Sequence, residues 1–92
     1  MLEAKTEIRM VGHILERGCI FKLSDVLKDV DVEVMHCEVS FAALKAGIEE
    51  KMPSMMRFYL VGEKKERNKA VKIIKKLAKE LDCRIEYTKE RV

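Results

Sequence analysis

Hydrophobic residues repeat along this chain with two different periods, and the order in which the periods alternate limits the fold. Over Thr6–Val11 apolar and polar residues alternate one by one. Ile8 and Met10 therefore fall on one face of the segment. Glu7 and Arg9 fall on the other face. This two-residue period predicts a half-buried β-strand.

Two segments show the helical period instead. Over Phe21–Val30 the apolar positions are Leu23, Val26, Leu27 and Val30. Over Lys64–Leu81 a longer stripe consists of Ala70, Val71, Ile74, Leu77, Ala78 and Leu81. Residues with this spacing lie on one side of a helix, so we predict a short amphipathic helix in the first segment and a long one in the second.

Three further segments predict strands. Val30–Val39 alternates and is rich in β-branched residues, but its apolar phase shifts between Val34 and Met35, which a β-bulge would explain. Met55–Val61 is more apolar than the other strands, so we expect it at the centre of the sheet. Arg84–Tyr87 predicts a short last strand that is followed by a charged tail.

The segment between the second and third strands contains mostly helix formers. It covers Ser40–Glu50, with Ser40 as a candidate N-cap, and Pro53 follows it. We predict an extended loop that carries a short helix.

The predicted order of strand, helix, strand, strand, helix, strand is typical of the ferredoxin-like βαββαβ fold. This is an α+β arrangement in which a four-stranded antiparallel sheet carries two helices on one face. The 92 residues suffice for one hydrophobic core, so we predict a single domain over residues 1–92. Since one small core leaves little material for a deep enclosed active site, we do not expect an enzyme.

Composition and patterning exclude several protein classes. No apolar run approaches the roughly 18 residues that a membrane span needs, and the charged first residues do not resemble a signal peptide. The three cysteines are an odd number without a CxxC pair, which predicts a reducing cytoplasm. The four glycines form no phosphate-binding pattern, so no cofactor is expected.

A few residues have metal-ligating or nucleophilic side chains. His36 and Cys37 are neighbours on a predicted strand and so point to opposite faces, while His13 and Cys19 form a looser pair. We therefore expect no metal site. Cys19 near a helix start, with His13 as base, lacks a third orienting group, so no catalytic residue is assigned.

The second helix concentrates the positive charge of the chain. Residues 63–79 hold seven Lys and one Arg against two Glu, a local charge of +6 in a chain whose net charge is +3. Its candidate contact residues are Lys69, Lys72, Lys75, Lys76 and Lys79. Such a face can bind nucleic-acid phosphates, but lysine-rich helices more often present a solvated face, so nucleic acid is the alternative and not the first expectation.

Small open sheets of this kind leave unpaired backbone groups at their edges. Pairing with a second copy hides those groups, so we expect a homodimer.

Four stretches resemble one known family. Thr6–Gly18 (TEIRMVGHILERG) is similar to the opening of a conserved N-terminal region shared by archaeal ornithine cyclodeaminases and lysine-ketoglutarate reductase/saccharopine dehydrogenase-like proteins. Lys22–Asp29 parallels the first helix of that region, and Glu33–Val39 resembles its second strand. Pro53–Gly62 resembles its Pro-Ser strand.

The departures from the family pattern shape what the resemblance implies. Glu16 stands where Asp is usual, Met55 replaces an aromatic residue, and the nicotinamide-binding catalytic region of the longer relatives is absent. A methionine-transporter accessory domain has a similar layout, but its asparagine-containing second-strand motif is missing.

The resemblance implies a stand-alone copy, or an excised piece, of a ferredoxin-like accessory domain from amino-acid metabolism. Such a domain would regulate by self-association, by binding a partner enzyme or by sensing a small metabolite such as an amino acid. The residues that would contact the ligand or partner are Gly12, His13, Gly18, Pro53 and Ser54. The same short glycine and proline signals also mark turns, which is the structural alternative for these positions.

Overall fold

A computed structural model describes residues 4–12, 19–41 and 54–92. The strands are β1 (Lys5–Gly12), β2 (Glu33–Phe41), β3 (Ser54–Val61) and β4 (Arg84–Arg91), and the helices are α1 (Cys19–Leu27) and α2 (Lys64–Glu80). The strands form one sheet in the order β2-β3-β1-β4, and every neighbouring pair is antiparallel. The predicted ferredoxin-like fold is confirmed, with the apolar β3 at the centre of the sheet.

The hydrophobic core lies between the two helices and one face of the sheet, which we call the inner face. Alternation along the strands turns Ile8 and Met10 of β1 and Phe58 of β3 inward, and all three are fully buried. The core consists of Ile8, Met10, Leu23, Leu27, Met56, Phe58, Leu60, Ala70, Ile74, Leu77, Ala78, Leu81 and Cys83. The apolar stripes predicted for both helices therefore supply the helical half of the core.

The first helix and the following strand are shifted from their predicted bounds. The helix α1 ends at Leu27 and not at Val30, because the chain turns there and the Val30 N–H donates to the Leu27 carbonyl oxygen at 3.1 Å. The strand β2 then runs on to Phe41. The prediction of Ser40 as a helix N-cap is wrong, because Ser40 lies in β2 opposite Met55. The rest of the predicted loop and its helix, including Pro53, lies outside the described residues.

A β-bulge interrupts β2, as the shifted apolar phase predicts, although it lies slightly further along the strand. Met35 pairs with Tyr59 and Glu38 with Arg57, so His36 and Cys37 together oppose one residue of β3. The backbone of His36 has a φ of 54°, which accommodates the extra residue.

The last strand is twice as long as predicted. The charged tail after Tyr87 continues as β4 to Arg91 and pairs with the whole of β1. Glu86 forms a second bulge, since Arg9 pairs with Tyr87 and Met10 already pairs with Ile85.

Arg67 of α2 explains how this polar tail is held. The side chain is 3% exposed, and its Nη1 donates to Glu90 Oε2 at 2.6 Å and to Thr6 Oγ1 at 2.9 Å. Its Nε donates to the Gly62 carbonyl oxygen at 3.0 Å, and the Thr6 hydroxyl donates to Glu90 at 2.7 Å. Arg67 contributes to the local charge of +6 over residues 63–79, but it is buried and does not belong to the solvated basic face of α2.

Candidate functional site

Two of the predicted contact residues meet at one end of the sheet. Gly12 ends β1 and Ser54 begins β3, and the two residues are directly paired. The buried Ser54 hydroxyl donates to the Gly12 carbonyl oxygen at 3.1 Å. Gly12 and Ser54, which lie 42 residues apart in the chain, are thus neighbours in the sheet.

The glycine at position 12 is required by a close approach. Its φ is +149°, and a Cβ added there would lie 3.0 Å from both the Cα and the Sγ of Cys83. Cys83 itself is buried, and its thiol donates to the Leu81 carbonyl oxygen at 3.5 Å. We call Gly12, Ser54 and Cys83 together the Gly12–Ser54 end of the sheet.

The other three residues named with this site are His13, Gly18 and Pro53, and they lie outside the described residues. His13 follows Gly12 directly in the chain, and Pro53 directly precedes Ser54. The described structure thus brings Gly12 and Ser54 together and contributes no geometry for the other three.

The face of the sheet opposite the helices, which we call the open face, carries a cluster that the sequence reading missed. Glu7 is only 3% exposed although it points away from the core. It accepts hydrogen bonds from the Tyr87 hydroxyl and, at 3.1 Å, from Arg91 Nε. Tyr59 also contributes, by a smaller amount, to lowering the pKa of Glu7. The alternation over Thr6–Val11 predicts that Glu7 points away from the core. It does not predict that tyrosine side chains cover the carboxylate.

These contacts change the pKa values of Glu7 and Tyr87. The hydrogen bond from Tyr87 lowers the pKa of Glu7, with Arg91 adding to the effect, although burial opposes it. The same bond raises the pKa of Tyr87. Glu7 is therefore held as a carboxylate that accepts hydrogen bonds from its neighbours.

Both tyrosines of the open face are in contact with a lysine. Lys5 Nζ lies 4.6 Å from the ring centroid of Tyr59, and Lys89 Nζ lies 4.6 Å from that of Tyr87. His36 packs edge-on against Tyr59 with the ring centroids 5.8 Å apart.

The cysteine and histidine of the β2 bulge remain on opposite faces, as predicted. Whereas His36 contacts Tyr59, Cys37 lines a mainly aliphatic cavity of about 470 Å³ between α1 and β2 with Leu23 and Leu27. Burial raises the pKa of the Cys37 thiol. In the described residues no group of three His, Cys, Asp or Glu side chains is arranged to hold a metal ion.

The lysines of α2 form a surface of their own, which we call the lysine stripe. At 100° per residue Lys65, Lys69, Lys72, Lys76 and Lys79 fall within an arc of about 80°, and Lys75 lies beside them. All six are exposed. Lys69 pairs with Glu66 at 3.0 Å, which lowers the pKa of that carboxyl group; within the described ranges none of the other five has a carboxylate within 4.0 Å.

Neither helix in the described residues is long and apolar enough to cross a membrane. No family model matches the chain, and no curated protein matches it. Among solved structures, the chain is similar to a de novo designed protein, Foldit4. The two are 20% identical with a TM-score of 0.62, over 99% of this chain and 98% of that chain. At this identity the similarity shows the ferredoxin-like fold alone.

Proposed function

We propose that this chain is a non-catalytic ferredoxin-like binding domain linked to ornithine, arginine or lysine metabolism. It senses a small amino-acid metabolite, or contacts a partner enzyme, through the Gly12–Ser54 end of the sheet. The observation that carries the proposal is the direct pairing of Gly12 with Ser54, because it brings together two of the residues that the family resemblance implies as contacts. The proposal includes self-association as a homodimer and an archaeal source.

The proposal places the domain in the cytoplasm. Cys37 supports this location, since its thiol is not part of a disulfide.

A thermal-shift series with ornithine, arginine and lysine tests the proposal. A ligand present at 100 times its dissociation constant should stabilise the fold by about 2.7 kcal/mol. Ser54→Ala removes the hydroxyl from the proposed site and should reduce the shift, whereas Ser24→Ala, an exposed serine on α1, should not. A shift that is equal in both variants would place the ligand elsewhere, and no shift with any of the three would contradict metabolite sensing.

The second candidate function is nucleic-acid binding through α2, and the lysine stripe favours it. Lysines act as point charges toward phosphates, so this binding would be independent of sequence and would weaken steeply with salt. Lys72→Ala/Lys76→Ala should weaken binding of a DNA duplex more than Lys22→Ala/Lys28→Ala, which removes the same charge from α1 and the residue that follows it. Equal effects of the two double variants would reject α2 as the contact.

A further inference from the structure

The open face places two aromatic rings on strands that flank β1. Tyr59 of β3 pairs with Glu7, and Tyr87 of β4 pairs with Arg9. The two residues are thus two strands apart and displaced by two residues, which separates their Cα atoms by roughly 12 Å. Both side chains are half-buried, so they lie against the sheet and keep part of their surface exposed.

Cations surround these rings. On β1, β3 and β4 the open face carries Lys5, Arg9, Arg57, Lys89 and Arg91, against the carboxylates of Glu7 and Glu86. Arg57 is paired with Glu38 at 2.9 Å, and Arg91 with Glu7 at 3.1 Å. Since Glu7 is buried beneath its donors, the surface presented to solvent at β1 and β4 is basic.

Three of these cations retain donor capacity. In the described part of the chain Lys5 and Lys89 have no carboxylate within 4.0 Å, and each contacts a tyrosine ring. Arg9 Nε is buried and lies 3.5 Å from Glu86, but the side chain is 36% exposed, so its terminal Nη groups are the ones a ligand can reach. A partner with flat rings and regularly spaced anionic groups complements this combination of exposed rings and available cations.

We infer that the open face binds single-stranded nucleic acid. Bases stack on Tyr59 and Tyr87 when the Lys5 and Lys89 ammonium groups, which lie over the rings in the free protein, move to the intervening phosphates, where Arg9 joins them. Aromatic stacking needs unpaired bases, so duplexes are excluded from this surface. The inference does not depend on the proposed function, because the surface lies on the face of the sheet opposite α2 and apart from the Gly12–Ser54 end. A second copy of the chain fits this face less well, because its like charges would meet.

Fluorescence anisotropy with a labelled mixed-sequence DNA strand of about 12 nucleotides, and with its RNA counterpart, tests the inference. Tyr59→Leu should weaken binding by about tenfold, because one stacking platform is lost. Tyr59→Phe is the matched control, since it loses the hydroxyl that contacts Glu7 but keeps the ring, and it should bind as the wild type does. Unlabelled duplex should not displace the strand.

A second readout does not depend on stacking. Lys5→Ala/Lys89→Ala should lower the slope of log affinity against log salt concentration by about 1.4, whereas Lys72→Ala/Lys76→Ala on the opposite side should leave it unchanged. Thermal unfolding of each variant confirms that it is folded. Absence of binding at low salt, wild-type affinity in folded Tyr59→Leu, or loss of binding only in the α2 variant would overturn the inference.

Discussion

Arg67 shows how much a single residue can decide in this domain. Its guanidinium group is buried, yet three hydrogen bonds, to Gly62, Thr6 and Glu90, satisfy it and join α2 to both β1 and β4. From the sequence Arg67 is one more cation in a basic helix, because helical periodicity distinguishes apolar from polar positions and cannot show that a charged side chain has a buried partner. The same limitation concealed Glu7 beneath its tyrosines.

Replacing Arg67 should therefore be much more damaging than replacing the neighbouring lysines. Arg67→Ala leaves Thr6 and Glu90 without their donor. We expect the free energy of unfolding to fall by about 2–4 kcal/mol. This is less than the largest losses seen for fully buried ion pairs, because Glu90 is half-exposed. The stability of Arg67→Lys should lie between those of the wild type and Arg67→Ala, since one ammonium group cannot reproduce the planar guanidinium fork. Urea unfolding measures the free energies, and Lys72→Ala should stay within about 0.5 kcal/mol of wild type. Equal losses in Arg67→Ala and Lys72→Ala would contradict the buried network.

Glu7 and Glu90 should make the domain sensitive to acid. The pKa of each is lower in the fold than the ordinary value of 4.5, owing to Tyr87 at Glu7 and to Arg67 at Glu90. A depressed folded-state pKa gives stability that is fully present above the unfolded value and is lost as the pH falls through the folded value. We expect the free energy of unfolding to decrease as the pH falls below about 4.5.

Unfolding curves at successive pH values between neutral and acid measure this decrease. Glu7→Gln should be less stable at neutral pH and should lose less on acidification than the wild type. Asp25→Asn, which removes an exposed carboxylate on α1, serves as the control. If Glu7→Gln and wild type lose the same stability between neutral and acid pH, the account of Glu7 is wrong.

At the scale of elements, predictability follows the strength of the apolar pattern. The helix α2 begins at Lys64, as predicted, because the apolar stripe along its 17 residues faces one core. The phase shift in β2 indicated a bulge, although its position depended on pairing with β3 that local sequence does not contain. The second half of β4 was missed, because its partners are polar side chains on β1 and α2. The pairing of Gly12 with Ser54 required the sheet order, which the predicted fold supplies.

The tail of β4 should consequently be essential to the fold. Deleting residues 88–92 removes Glu90 and Arg91, so the buried Arg67 loses its only carboxylate partner in the described residues and the buried Glu7 loses its only cationic one. We expect loss of the cooperative unfolding transition, measured by circular dichroism on heating. Deleting Val92 alone, an exposed terminal residue, is the matched control and should change little. A truncated chain that unfolds like the wild type would show that β4 needs only its predicted first half.

At the scale of the whole molecule, the two edges of the sheet differ. The β4 edge carries charged side chains, which oppose edge-to-edge pairing. The β2 edge exposes Val34 and Met35, at 40% and 41%, beside the aliphatic cavity against α1. If the domain dimerises as proposed, β2 is therefore the favoured edge.

Sedimentation velocity tests this expectation. The wild type should sediment as a dimer at micromolar concentration, and Val34→Lys should sediment as a monomer. Thr88→Lys, which adds the same charge to the exposed β4 edge, should leave the dimer intact. A wild type that is monomeric throughout, or a dimer dissociated only by Thr88→Lys, would contradict the assignment to β2.

The Gly12–Ser54 end of the sheet is proposed to bind an amino-acid metabolite. The most direct measurement is an NMR titration of the labelled protein with ornithine, arginine and lysine, which follows each backbone amide. The account predicts saturable shifts for one of the three ligands, centred on the amides of Gly12, Ser54 and Cys83. Amides that stay in place with all three ligands, or that shift at Tyr59 and Tyr87 instead, would contradict it.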